Sequence, residues 1–119
     1  MAAPNIVGVT TITGKTAVQA VTNVATAIVT NSAASGKVFK INSLTIANVD
    51  GTNAADITVD VYRSATPYRL ASTIAVPADA TLVVISKDTA IYLEEGDSIR
   101  CTASANGDLE AVCSYEEIS

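Results

Sequence analysis

From residue 37 onward, apolar side chains recur at every second position, and this period constrains the fold more than any other feature of the chain. Ile57, Val59 and Val61 alternate with Thr58, Asp60 and Tyr62. Tyr68, Leu70, Ser72, Ile74 and Val76 share one parity, as do Ile99, Cys101 and Ala103, and again Leu109, Ala111, Cys113 and Tyr115. Successive side chains of an extended ribbon project to opposite faces, so a period of two buries one face and wets the other. A helix would need its apolar stripe to return every three or four residues. Composition points the same way. Four Tyr and one Phe are the only aromatic residues among 119, so the core has to come from Val, Ile, Leu and Ala. Val, Ile and Thr branch at Cβ and suit a pleated, half-buried surface.

Turn signals divide the pattern into short strands. Ile6–Thr13 reads as a strand with Gly8 as a weak point, followed by a turn at Gly14-Lys15. Residues 17–29 read as two strands broken near Thr22-Asn23; a helix of three turns is the alternative. The loop Asn31–Gly36 separates an Ala/Val/Thr-rich arm, residues 1–30, from a body, residues 37–119, so that arm and loop together span residues 1–36. Within Val38–Asn48 the apolar parity switches near Asn42-Ser43, the mark of a β-bulge or of a strand bending between sheets. Turns are expected around Asp50-Gly51, at Ser64–Pro67, at Pro77–Asp79, and at Glu94–Asp97 with Gly96 at positive φ. Leu82–Ile85 is apolar on both faces and is expected to be a central strand. Roughly eight to ten short strands on one such chain predict an all-β, single-domain antiparallel β-sandwich, jelly-roll or immunoglobulin-like. The extended N-terminal arm either belongs to that domain or packs on a neighbour.

The last two strands raise a register question. They are expected to form a hairpin, in which a three-residue loop at Asn106-Gly107-Asp108 points both apolar sets inward and sets Cys101 opposite Cys113. Two readings follow, buried free thiols or a cross-strand disulfide. Synthesis in a cytoplasm favours the thiols.

Chemistry-bearing patterns are sparse. The chain has no His, which removes the commonest general base and metal ligand. Gly14-Lys15-Thr16 lacks the upstream Gly of a phosphate-binding loop, since Val9 stands there. Glu94, Glu95 and Asp97 crowd one turn without the spacing of a Ca²⁺ loop. Asp56 and Asp60 share an outward face, where a cross-strand Lys or Arg is their expected partner. No catalytic, cofactor-binding or metal-ligating residues are assigned, no cofactor is expected, and the expectation is that the chain is not an enzyme. Net charge is −5, and residues 88–119 set eight carboxylates against Arg100 alone. Neither nucleic acid nor an anionic membrane is an expected partner for such a surface. The acidic end either orients a neighbouring subunit or is simply solvated. No signal peptide is expected from the first residues, and no apolar run is long enough to span a bilayer.

As a whole pattern, the stretches KVFKINSLTIANVDGTNAADITVDVYRS (37–64), STIAVPADATLVVISKDTAIYLEEGDSIRCTASANGDLEAVCSYEEI (72–118) and TTITGKTA (10–17) resemble small virion structural proteins of tailed phages, especially those infecting marine cyanobacteria. The resemblance implies a virion protein made in the host cytoplasm, with the major capsid protein or other virion proteins as partners. A capsid decoration protein is the leading expectation, homo-oligomeric with a trimer favoured. A neck, tail or fibre-adaptor component is the alternative, and a carbohydrate-binding module a further one. Candidate contact residues are Ile6, Val7, Val9, Ile12, Val18, Val21 and Ile28 on the arm. Tyr62 and Tyr92, on the outward parity of the body, complete the set.

Overall fold

Among the described residues, nine strands build the fold: β1 Ile12–Val21, β2 Thr26–Thr30, β3 Val38–Asn48, β4 Ala55–Arg63, β5 Thr66–Val76, β6 Thr81–Ile85, β7 Ile91–Leu93, β8 Ser98–Ala103 and β9 Leu109–Ile118. The structure, a computed structural model, describes residues 4–119. Sheet I has the order β1-β9-β3-β6, with β7 also paired to β3; sheet II has the order β2-β8-β4-β5. All pairings are antiparallel. With β6 and β7 counted as one interrupted strand, this is the connectivity of a jelly roll and not that of an immunoglobulin domain. A single turn of 3-10 helix, Lys87–Thr89, makes the interruption.

Inward positions of the two sheets form one core. Ile41, Leu44 and Ile46 from β3 and Leu109, Ala111 and Cys113 from β9 face Ile57, Val59, Ile99 and Cys101 of sheet II, all fully buried. Each buried Ile or Leu contributes roughly 1.5–3 kcal/mol relative to exposure. The parity switch in β3 is a bulge between Ile41 and Ser43 against β9, which keeps apolar residues inward on both sides of it. Residues 17–29 are two strands, as alternation implies, with the break at residues 22–25.

Several local expectations are corrected. Ile6–Thr10 is irregular: Asn5 Oδ1 accepts from Val7 N–H and Asn5 O accepts from Gly8 N–H, an Asx-type turn, so the strand starts only at Ile12. Gly14-Lys15 is no turn, because it pairs in register with Glu116 and Tyr115 inside β1. β6 is an edge strand and not a central one; it pairs only with β3, and Val83 points to solvent. Residues 12–30, the greater part of the expected arm, lie within the sandwich itself, where β1 and β2 are edge strands of sheets I and II. Residues 1–3 of the expected arm lie outside the described residues. β8 and β9 do not make a hairpin: they belong to opposite sheets, and the connection over 104–108 crosses between them. Among the described strands, β4 and β5 are the one consecutive pair that hydrogen-bonds directly, across a Ser64-Ala65 turn with positive φ at both residues.

Two buried asparagines secure the crossover loops. Asn31 Nδ2 donates to Lys37 O and Leu93 O, tying the loop over 31–37 to the end of β7. Asn48 Nδ2 donates to Asn53 O and Val76 O, tying the β3–β4 and β5–β6 turns together. Carbonyls in buried loops need such donors, because a backbone group left unpaired there costs about 1–3 kcal/mol.

Candidate interaction surfaces

Cys101 and Cys113 are the most nucleophilic side chains of the chain, and both are buried and free. Burial pushes the Cys101 thiol up to about 12 and the Cys113 thiol up to about 11. Protonated thiols inside a dry core are inert, so they serve as packing groups. The crowded carboxylates of the β7–β8 turn are equally committed. Arg63 donates to Asp97 at 2.8 Å through Nε and 2.5 Å through Nη2, and to Glu94 at 2.8 Å. Asp97 also accepts from Glu94 N–H, while Glu95 accepts from Gly36 N–H. The Arg63 guanidinium holds the Asp97 carboxyl below its ordinary value. The turn is thereby a bracket that fixes β4 to the β7–β8 connection. Among the described residues, no group of three or more His, Cys, Asp or Glu is placed to hold a metal ion.

What remains is the exterior. On sheet II the outward row is Asp60, Arg100 and Arg69, in register across β4, β8 and β5. Arg100 donates to both carboxylate oxygens of Asp60, at 2.9 and 3.2 Å, and lies 3.9 Å over the Tyr62 ring. Asp60 is only 3% exposed despite facing outward. Arg100 is raised further by this carboxylate. The cross-strand cation expected for Asp60 is therefore present, and the face is closed by its own side chains.

Sheet I differs. Reading across β1, β9, β3 and β6, one outward row is Val18, Val112, Thr45 and Val83. The row toward one end holds Gly14, Glu116, Lys40 and, on β7, Tyr92; the row toward the other holds Ala20, Glu110, Ala47 and Thr81. Val18 is 74% exposed, Val83 56% and Val112 42%. Along the side where β5 faces β6 and β7, a groove is lined by Tyr68, Leu70, Ile91 and Tyr92, continuing past Ile74, Leu82 and Val83. A third apolar place is the end segment, where Val7 is 91% exposed beside Ile6 and Ile12.

The sequence-predicted contact residues thus divide. Ile6, Val7, Ile12, Val18 and Tyr92 are exposed; Val9 and Ile28 are half-buried. Val21 is a correction: it pairs with Leu109 at the inner face and is a core residue. Tyr62 is half-buried beneath Arg100 and occupied by it. Sequence reasoning missed Val83, Val112, Tyr68, Leu70 and Ile74. The signal for Val112 was present, since it shares the outward parity of Glu110, Ser114 and Glu116.

No protein-family model and no curated protein matches the sequence. Among solved structures, the chain is similar to a subunit of Bacillus endospore appendages, described as a novel family of disulfide-linked pili. The TM-score is 0.54 at 15% identity, covering 92% of this chain and 88% of that one. At this identity the likeness is one of fold.

Proposed function

We propose that this chain is a non-enzymatic structural subunit that assembles with copies of itself. The observation that carries the reading is the amount of apolar side chain left outside a complete core: the end segment, the β5–β6 groove and the outer face of sheet I all carry large exposed aliphatic or aromatic groups. Contiguous exterior patches of this kind mark interaction sites on small proteins. The edge strands β1 and β5 add rows of unpaired backbone groups. The fold-level likeness to a pilus subunit supports assembly into a fibre. Covalent linkage through Cys101 or Cys113 would require the core to open, so the contacts of this chain are non-covalent at those positions.

A second reading, the capsid decoration protein, rests on the resemblance of residues 37–64 and 72–118 to phage virion proteins. There the same module sits on a shell in many copies, and avidity supplies the affinity. Sedimentation of the purified chain over a concentration series, with negative-stain microscopy of the product, tests the first reading. Ordered homo-oligomers or filaments are expected, and a strictly monomeric chain would refute it. Oligomers that stop at a closed ring and bind phage capsids would favour the second.

A further inference from the structure

We infer that the outer face of sheet I pairs with the same face of a second copy, an isologous contact that deepens and rests on the self-assembly reading above. The central row of the face, Val18, Val112, Thr45 and Val83, is β-branched throughout. Four strands at ~4.8 Å spacing and ten residues at ~3.3 Å rise span about 600 Å², so two copies bury about 1,200 Å² together, the lower bound of stable specific interfaces. On sheet II the corresponding row, Arg69, Asp60 and Arg100, is charged rather than aliphatic.

Charge selects the arrangement. Glu116 on β9 and Lys40 on β3 stand opposite each other across the strand pair, and no ion pair joins them among the described residues; Glu116 Oε1 accepts from Asn42 Nδ2 at 3.2 Å, and that amide leaves its charge unneutralised. A two-fold axis lying in the interface, parallel to the strands and midway between β9 and β3, keeps each row on itself and reverses the strand order. β1 of one copy then covers β6 of the other, and β9 covers β3. Val18 meets Val83, Val112 meets Thr45 and Glu116 meets Lys40, each contact made twice. An axis across the strands at the level of Cys113 would instead bring Glu116 over Glu110, a like-charge contact. Packed sheets cross at about 30°, an offset that the long side chains of Lys40 and Glu116 span near the axis.

Sedimentation equilibrium of the full chain and its variants tests this contact. Val112→Lys is expected to weaken association about 100-fold or more, since it buries an unpaired charge. Glu116→Lys and Lys40→Glu should each weaken it about tenfold, and an equimolar mixture of the two should regain wild-type affinity, because opposite charges again face each other at both positions. Ala75→Lys, on the outer face of sheet II, should change nothing. Association unaffected by Val112→Lys, or a mixture no tighter than either variant alone, would overturn the face while leaving self-assembly in place. A wild-type chain still monomeric at about 0.1 mM would overturn both.

Discussion

The two outer faces of this sandwich come from the same period-two pattern and reach opposite ends. On sheet II one outward charge folds down onto the sheet: Arg100 covers Asp60 and lies over the Tyr62 ring. On sheet I the central outward row is aliphatic or hydroxylated, and its valines remain open. A polar face completes itself when a long cation lies across a short anion, since the Arg stem and guanidinium cover area while the ion pair satisfies the carboxylate. An aliphatic face has no such means, and its exposure is relieved only by another surface. The difference separates a face that stabilises the fold from one available for assembly.

Breaking the closed face should have the largest effect. Arg100→Ala leaves Asp60 nearly buried without its partner, and we expect a loss of about 3 kcal/mol, read as a shift in the urea midpoint at unchanged slope. An effect below about 0.5 kcal/mol would show that the pair is ordinary surface charge.

The bracket around Asp97 comes next. Its carboxyl is held below the ordinary value of 3.8 by Arg63, and Glu117 lies below 4.5 through Lys15 and Lys37. A carboxylate with a depressed folded pKa stabilises the fold fully above its unfolded value and loses that contribution as pH falls through the folded one. Stability should therefore be flat above pH 5 or so and decline below about pH 4. Asp97→Asn should cost about 2 kcal/mol at neutral pH and make the acid decline shallower. Thermal melts at stepped pH values decide this, and parallel curves for variant and wild type would contradict it.

The open face should be nearly silent in the same assays. Val18→Lys is expected to move stability by less than about 0.5 kcal/mol, because the side chain touches little in the isolated subunit. Its effect should fall on association instead. A destabilisation as large as that of Arg100→Ala would erase the contrast between the faces.

Much of the inner architecture was legible in the chain. Alternation placed Ile57, Val59, Ile99, Cys101, Leu109 and Cys113 inside, and the parity switch at Asn42-Ser43 located the β3 bulge. Both rest on local geometry, in which a residue's face follows from its neighbours two positions away. The surfaces were read less well. Val21, a contact candidate by its sequence, is core, and Leu82–Ile85, apolar on both faces, lies at an edge. An apolar side chain carries the same signal whether it faces the core or a missing neighbour, so exterior aliphatic residues cannot be told from interior ones until the strands have partners. The Asn31 and Asn48 staples were unreadable for a related reason, because the carbonyls they satisfy, at Leu93 and Val76, lie 62 and 28 residues away in the chain.

What the amino-acid order determined alone was that strands form, approximately where they turn, and which side chains of each face inward, since all three follow from short-range sterics and period-two burial. Only the tertiary structure decided that β8 and β9 part company into opposite sheets, that β9 lies between β1 and β3, and that β6 is left at an edge. Ladder hydrogen bonds join backbone to backbone and are nearly blind to side-chain identity. The choice among strand partners is therefore made by closing one core around the whole chain.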